Sequence, residues 1–174
     1  YSYQAEIRSI SDETRHSVLI QAKILRLNNQ VVFSLPYITK DIPAGIVFKA
    51  LGYADFSQLI GDCVHREISG LIESIVEDAY TVDTQDDALE FIGQHTMHVI
   101  SRDKRAKYAK QVLEKQLFPH IGVQASLRER SLFLTTIVQK LLLTFVGIRP
   151  VDDKDNVSNK RIETTGMLIT DLFR

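Results

Sequence analysis

One short stretch carries the side chains best suited to chemistry. Asp152-Asp153-Lys154-Asp155-Asn156 places three carboxylates within four residues, and Asn159-Lys160-Arg161 follows. Carboxylates at that density invite a divalent cation. Aligned with a calcium loop that opens at Asp153, the third ligand position is Asp155, but the fifth is Val157. The obligatory glycine is Ser158 and the closing glutamate is Thr164. The ligand set fails. A Mg²⁺ site, or a metal-dependent nuclease built on Asp152, Asp153 and Asp155, needs further carboxylates from elsewhere.

Other candidates are weaker. His95 and His98 have the spacing for two ligands on one helix face, but no Glu follows the first His and no cysteine lies near. Cys63-Val64-His65 offers a thiol beside an imidazole, yet a single cysteine more commonly fills a small apolar site. No nucleophile elbow, phosphate-cradling loop or dinucleotide fingerprint occurs among the eight glycines. No catalytic residue is assigned. A basic surface is the better candidate: at about 100° per residue, Lys104, Lys107, Gln111 and Lys115 share one helix face opposite Ala109, Leu113 and Leu117. Such a row could track phosphates or an acidic protein, or could simply be a solvated face.

The elements that must hold these groups are legible. Val18, Ile20, Ala22 and Ile24 alternate within a strand over 17–25, Asn28-Asn29 supplies a turn, and 30–35 returns with Val31, Phe33 and Leu35 on one face. Residues 5–10 are a third strand candidate, and Pro36 and Pro43 close the region because neither can donate to a ladder. Helices follow. One short apolar stretch runs over 46–51 to Gly52, and Asp55 caps another to Ile60. The cleanest helix is 66–79, striped by Ile68, Leu71, Ile72, Ile75, Val76 and Ala79. Thr84 with Asp87 opens a helix through Phe91-Ile92, closed by Gly93. Ser101 opens one to about Leu117, stopped by Pro119. Ser126 with Glu129 opens the long one, ending near Gly147, and a last helix begins around Lys160. The expected class is α+β: N-terminal antiparallel strands over 1–36, helices over 44–148, and a loop and helix over 149–174, within a single domain.

The chain has 174 residues, 44% hydrophobic and 25% charged, an ordinary globular composition with a net charge of −1. One cysteine excludes an internal disulfide framework. The apolar run from Leu132 to Ile148 is interrupted by Gln139 and Lys140, which predicts a buried helix and no membrane association. Charge is segregated: 62–90 holds nine acidic residues and one basic, whereas 102–115 holds six basic and two acidic. A basic partner protein is one reading of the acidic block, a solvated surface the other. The chain opens on Tyr1 without Met and stops at Leu172-Phe173-Arg174 within an apolar helical pattern, so a piece of a longer polypeptide is expected.

Several stretches, in order along nearly the whole chain, resemble the second-largest (β-type) subunit of multisubunit DNA-directed RNA polymerases. They are Pro36-Tyr37-Ile38-Thr39-Lys40-Asp41-Ile42-Pro43 with 46–52; Glu77-Asp78-Ala79-Tyr80 with 87–93; Tyr108-Ala109-Lys110 with Leu117-Phe118-Pro119-His120-Ile121; and Leu141-Leu142-Leu143 with 152–161 and 166–174. The resemblance implies the lobe of that subunit, closer to the archaeal, eukaryotic and viral branch than to the bacterial one. It implies a non-catalytic domain that walls the DNA cleft and docks transcription factors, with the largest subunit and other subunits as partners. The 149–174 segment would return toward the protrusion. No cofactor is expected here, since the family's catalytic Mg²⁺ is held by another subunit. An intracellular location follows: the nucleus for a cellular eukaryote, host cytoplasm or virion for a virus. Asp155, Asn159, Lys160 and Arg161 would lie near nucleic acid, either contacting it or bracing the loop through pairs of Asp152, Asp153 and Asp155 with Lys160 and Arg161. Asn156 stands where the family has His, and Ser158 where it has Gly, pointing to a diverged parent. The alternative function is a protein-interaction module with an acidic docking surface and no nucleic-acid contact.

Overall fold

The computed structural model describes residues 3–11, 16–53, 68–96, 101–122, 124–160 and 162–173. Four antiparallel strands come first, β1 (Tyr3–Ile10), β2 (Ser17–Ile24), β3 (Val31–Ser34) and β4 (Ile42–Pro43), in the spatial order β1-β2-β3-β4. Register runs from Tyr3 opposite Ile24 to Ile10 opposite Ser17, then Ile24 opposite Val31 and Val32 opposite Pro43. The alternation in β2 is the cause of that register: Val18, Ile20, Ala22 and Ile24 are all buried. Asn29 takes φ 53° in the β2–β3 connection, the left-handed conformation that its short polar side chain tolerates. The two-residue β4 was not expected. Pro43 can stand there because it ends the strand at the sheet edge, and it then serves as the N-cap of the first helix.

Six helices are described: α1 (Ala44–Ala50), α2 (Ser69–Tyr80), α3 (Gln85–Gln94), α4 (Arg102–Lys115), α5 (Leu127–Val146) and α6 (Thr165–Leu172). Together with the sheet this is the expected α+β class. One cluster of buried side chains runs from β2 and β3 through α1 to α5. Phe33 and Phe48 meet edge to face at 6.3 Å, joining the sheet to α1. Tyr3 and Phe145 do the same at 5.7 Å between β1 and α5. The stripe expected for α2 is present, with Ile68, Ile72, Ile75 and Ala79 buried. The first residues of that expected helix, the helix capped by Asp55, and Cys63, His65 and His98 lie outside the described residues.

Two capping boxes form as expected. Thr84 accepts from the Asp87 N–H while the Asp87 carboxylate accepts from the Thr84 N–H, and Ser126 and Glu129 repeat the arrangement at α5. Gly147, at φ 86°, ends α5 in the left-handed conformation. Three expectations need correction. Gly93 does not close α3: it lies within the helix, where an added Cβ would stand 2.6 Å from the Arg105 carbonyl oxygen. Its role is to admit α4. The last helix begins at Thr165 rather than near Lys160, because Asn156 caps a short 3₁₀ turn over Val157–Asn159 and Lys160 leaves it extended. The run from Leu132 to Ile148 is buried on one face only, with Leu132, Val146 and Ile148 exposed.

One buried cation organises the helical part. Arg130 is fully buried, and its guanidinium donates to the carbonyls of Leu117, Phe118 (3.2 Å) and Gly122 (2.7 Å). Those carbonyls bracket the 3₁₀ turn Pro119–Ile121, entered through Phe118 at φ 55°. Burial pulls the guanidinium pKa below its ordinary value, opposed by the nearby charges of Glu114 and Glu129. Among the described residues no helix is long and apolar enough to cross a membrane.

The Gly93 contact is testable. Gly93→Ala forces a methyl against the α4 backbone and should cost about 1–3 kcal/mol, read as a lowered urea midpoint. Gly70→Ala, with open space around the added methyl, should be neutral or stabilising by up to about 1 kcal/mol. Equal midpoints for the two variants would refute the close approach.

Candidate nucleic-acid and partner interface

The basic row forms on α4 as its spacing requires. Ala109, Val112, Leu113 and Leu117 are buried, and Lys104, Lys107, Gln111 and Lys115 are exposed. Lys115 sits in the last turn, where a cation complements the helix dipole. Gly93 sets how close the row comes to α3.

The 152–160 stretch is exposed throughout and closed by its own bonds. Arg149 Nη2 meets both carboxylate oxygens of Asp152 at 2.9 Å. Asp153 Oδ1 accepts from the Asp155 N–H at 2.9 Å, and its carbonyl accepts from Asn159 Nδ2 at 2.7 Å. Lys160 Nζ lies 3.5 Å from Asp155 Oδ1. The bracing arrangement is thus present for Asp155 with Lys160. It differs for Asp152, whose partner is Arg149, and for Asp153, which holds backbone. Arg161 lies outside the described residues. Exposed pairs of this kind contribute about 0–1 kcal/mol each, so they shape the loop without locking it. Asn156 and Ser158 bond to one another: Asn156 Oδ1 accepts from the Ser158 N–H at 3.0 Å and the Ser158 hydroxyl at 2.8 Å. This Asx turn opens the 3₁₀ turn over Val157–Asn159.

The acidic surface lies on α2, α3 and their connection. Residues 68–96 carry seven carboxylates and neither Lys nor Arg. Asp78 is half-buried and accepts from Gln30 Nε2 at 2.7 Å, while its second oxygen is buried without a hydrogen-bond partner. Desolvation raises its pKa; the Gln30 hydrogen bond opposes this and the Glu77 charge adds to it. Glu77 and Asp78 also occupy the last turn of α2, which has no basic residue, so both work against the helix dipole. His95 Nδ1 donates to the Phe91 carbonyl at 3.0 Å and its ring lies 5.1 Å from that of Phe91. That bond makes His95 part of the α3 terminus. No group of three or more His, Cys, Asp or Glu side chains is arranged to hold a metal among the described residues. Sequence reasoning missed Arg149 as the partner of Asp152 and Gln30 as that of Asp78. The first is three residues away and was legible in principle; the second requires the fold.

The family described as RNA polymerase Rpb2, domain 2, matches residues 2–163. The chain belongs to this family, a domain of the RNA polymerase second-largest subunit. It is 32% identical over its whole length to DNA-directed RNA polymerase II subunit RPB2 of Encephalitozoon cuniculi, covering 16% of that protein. It is 30% identical to the archaeal DNA-directed RNA polymerase subunit Rpo2 of Sulfolobus acidocaldarius, over 89% of the chain and 14% of the relative. A probable RPB2 homolog of Invertebrate iridescent virus 3 is 30% identical over 97% of the chain and 18% of that protein. The chain thus spans about one sixth of the length of the first of these relatives.

Asp78 predicts a pH dependence. Its raised native pKa means the folded chain keeps a proton that the unfolded chain has released. Stability therefore falls as pH rises from the unfolded Asp value through the native one, and the penalty persists above it. Asp78→Asn should gain stability relative to the unsubstituted chain between pH 4 and pH 7, measured by urea midpoints. A difference that stays constant with pH would show that burial does not control this carboxyl. Asp155→Asn, which removes an exposed ion pair, should change the unfolding free energy by no more than about 0.5 kcal/mol.

Proposed function

We propose that this chain is the lobe of a polymerase second-largest subunit, a non-catalytic domain that walls the DNA cleft and offers a docking face to transcription factors. The family match over residues 2–163 carries this reading. In it, the basic row Lys104, Lys107 and Lys115 and the loop residues Asp155, Asn159, Lys160 and Arg161 form the nucleic-acid side. Lysines give positioning contacts to phosphates, and Asp155 holds Lys160 in place. The largest subunit and the other polymerase subunits are its partners. Nucleotidyl transfer, with its Mg²⁺, belongs to another subunit, and this domain contributes no reacting group. The location is intracellular, the nucleus in a cellular eukaryote and host cytoplasm or virion for a virus. The 149–174 segment leads toward the protrusion; the exposure of Leu168, Ile169, Leu172 and Phe173 on and beside α6 supports a further protein surface there.

One observation favours a second reading, a protein-interaction module with no nucleic-acid contact: the seven carboxylates of 68–96 without a Lys or Arg among them. Charge reversal of Glu73 and Glu77 separates the two. Loss of a protein partner with polymerase assembly intact favours the module.

The lobe reading predicts weak, salt-sensitive binding to duplex DNA. Each neutralised phosphate adds about −0.9 to the slope of log K against log salt. Replacing Lys104, Lys107 and Lys115 together by Ala should flatten that slope by about 3, measured by fluorescence anisotropy from about 50 mM salt upward. An unchanged slope would remove the basic row from the DNA side, and tight binding at moderate salt would contradict a passive wall.

A further inference from the structure

Among the described residues, the longest stretch of unpaired sheet edge is the outer side of β1. This strand is terminal in the order β1-β2-β3-β4, and all eight of its residues pair with β2 in one unbroken register. In an antiparallel pair only alternate residues exchange bonds, so half of its N–H and C=O groups point away from β2. No backbone-to-backbone bond outside the ladder involves β1 among the described residues. Proline, bulge and short length, which blunt exposed edges, are all missing from Tyr3–Ile10. The edge is backed by a helix along its length. Phe145 of α5 meets Tyr3 near one end, and Phe133 lies 5.0 Å from the ring of His120, whose Nδ1 bonds Ser9 near the other. Twelve helical residues and six strand residues cover about 18 Å and about 20 Å, so α5 and β1 run side by side. The inward row is complete on β2, where Val18, Ile20, Ala22 and Ile24 are buried. Its continuation on β1, Tyr3, Ala5 and Ile7, is only half-buried. Gln4, Glu6 and Arg8 form the opposite, exposed row. Glu6 Oε1 accepts from Gln4 Nε2 and from Gln21 Nε2; both donors are neutral amides, which orient the carboxylate without cancelling its charge.

We propose that β1 pairs antiparallel with β1 of a second copy of this chain, with the two-fold axis at Ile7. Glu6 of each copy then stands opposite Arg8 of the other, Ala5 stands opposite Ser9, and Ile7 meets itself. Opposite residues of an antiparallel pair share a face. Both charge pairs therefore lie on the exposed side, and the half-buried row is continued by its own copy on the other. An axis on Glu6 or on Arg8 would set like charges face to face, so the pattern selects the occupant together with its register. The open backbone supplies the attraction and the two charge pairs supply the alignment. The inference goes beyond the lobe reading and stands without it.

Sedimentation of the chain from about 10 μM to about 1 mM is expected to show a reversible monomer–dimer equilibrium, weak because one strand pair buries less than a standard interface. Glu6→Arg and Arg8→Glu should each weaken it at least about tenfold. An equimolar mixture of the two variants should recover a dimer, since every opposite residue is then of unlike charge. The chain's one cysteine, Cys63, is replaced by Ser for a cross-linking test. In that background Ile7→Cys should be linked into a disulfide dimer by oxidised glutathione, because opposite Cα atoms lie about 4.5–5.5 Å apart. Ala5→Cys, offset by four residues from its copy, should stay unlinked. A chain that remains monomeric up to about 1 mM, or single variants that dimerise as well as the unsubstituted chain, overturns the inference. So does a mixture that recovers nothing. If Ala5→Cys links as readily as Ile7→Cys, the contact has no fixed register and the inference falls. If the amides of β1 respond to an added strand-forming peptide while the chain stays monomeric, the occupant is another protein's strand, and the second-copy inference is likewise overturned.

Discussion

Arg130 is the interaction on which the helical arrangement turns. A guanidinium with no solvent exposure collects three carbonyls from residues 117–122, where the chain reverses between α4 and α5. Carbonyls at a helix end and in a tight turn have no partner within the helix itself, and burying them unpaired costs about 1–3 kcal/mol each. The cation meets that need from the opposite helix. It comes from the first turn of α5, whose start is fixed by the Ser126–Glu129 capping box. Local capping therefore fixes where the buried charge stands, and the buried charge ties the segment after α4 to the first turn of α5.

The two helices of the α3–α4 pair carry opposite surfaces at close quarters. Gly93 permits backbone-level approach, so acidic residues of α3 and basic residues of α4 lie on neighbouring helices rather than on remote parts of the fold. The net charge of −1 conceals this. On one small scaffold, such a bipolar surface presents opposite long-range fields on neighbouring helices. The sheet supplies the base: β1 reaches the turn after α4, where the Ser9 hydroxyl lies 2.7 Å from His120 Nδ1 and accepts from the His120 N–H.

What could be read in advance was whatever is decided locally. Thr84 with Asp87 and Ser126 with Glu129 are complete within four residues, and both boxes form. The alternation of β2 and the stripe of α2 are likewise periodic signals that tertiary packing confirms. Gly93 was misread because the same residue type serves a helix end and a close approach, and only the neighbour distinguishes them. A fully buried arginine has no sequence signature, since its partners are backbone carbonyls rather than a complementary side chain. Within the candidate loop, the pairing of Asp155 with Lys160 was anticipated, whereas Asp152 turned to a nearer arginine and Asp153 to backbone. Short polar segments offer several comparable pairings, and small geometric differences choose among them.

The bond between Asn156 and Ser158 carries one more consequence. An amide has no proton to gain near neutrality, unlike an imidazole, so this acceptor carries no charge that changes there. With Asn156 as the acceptor, the two bonds that close this bend involve no titrating side chain. The bend over 156–158 is thus held by an amide and a hydroxyl, two neutral groups that give the loop a fixed hinge of their own.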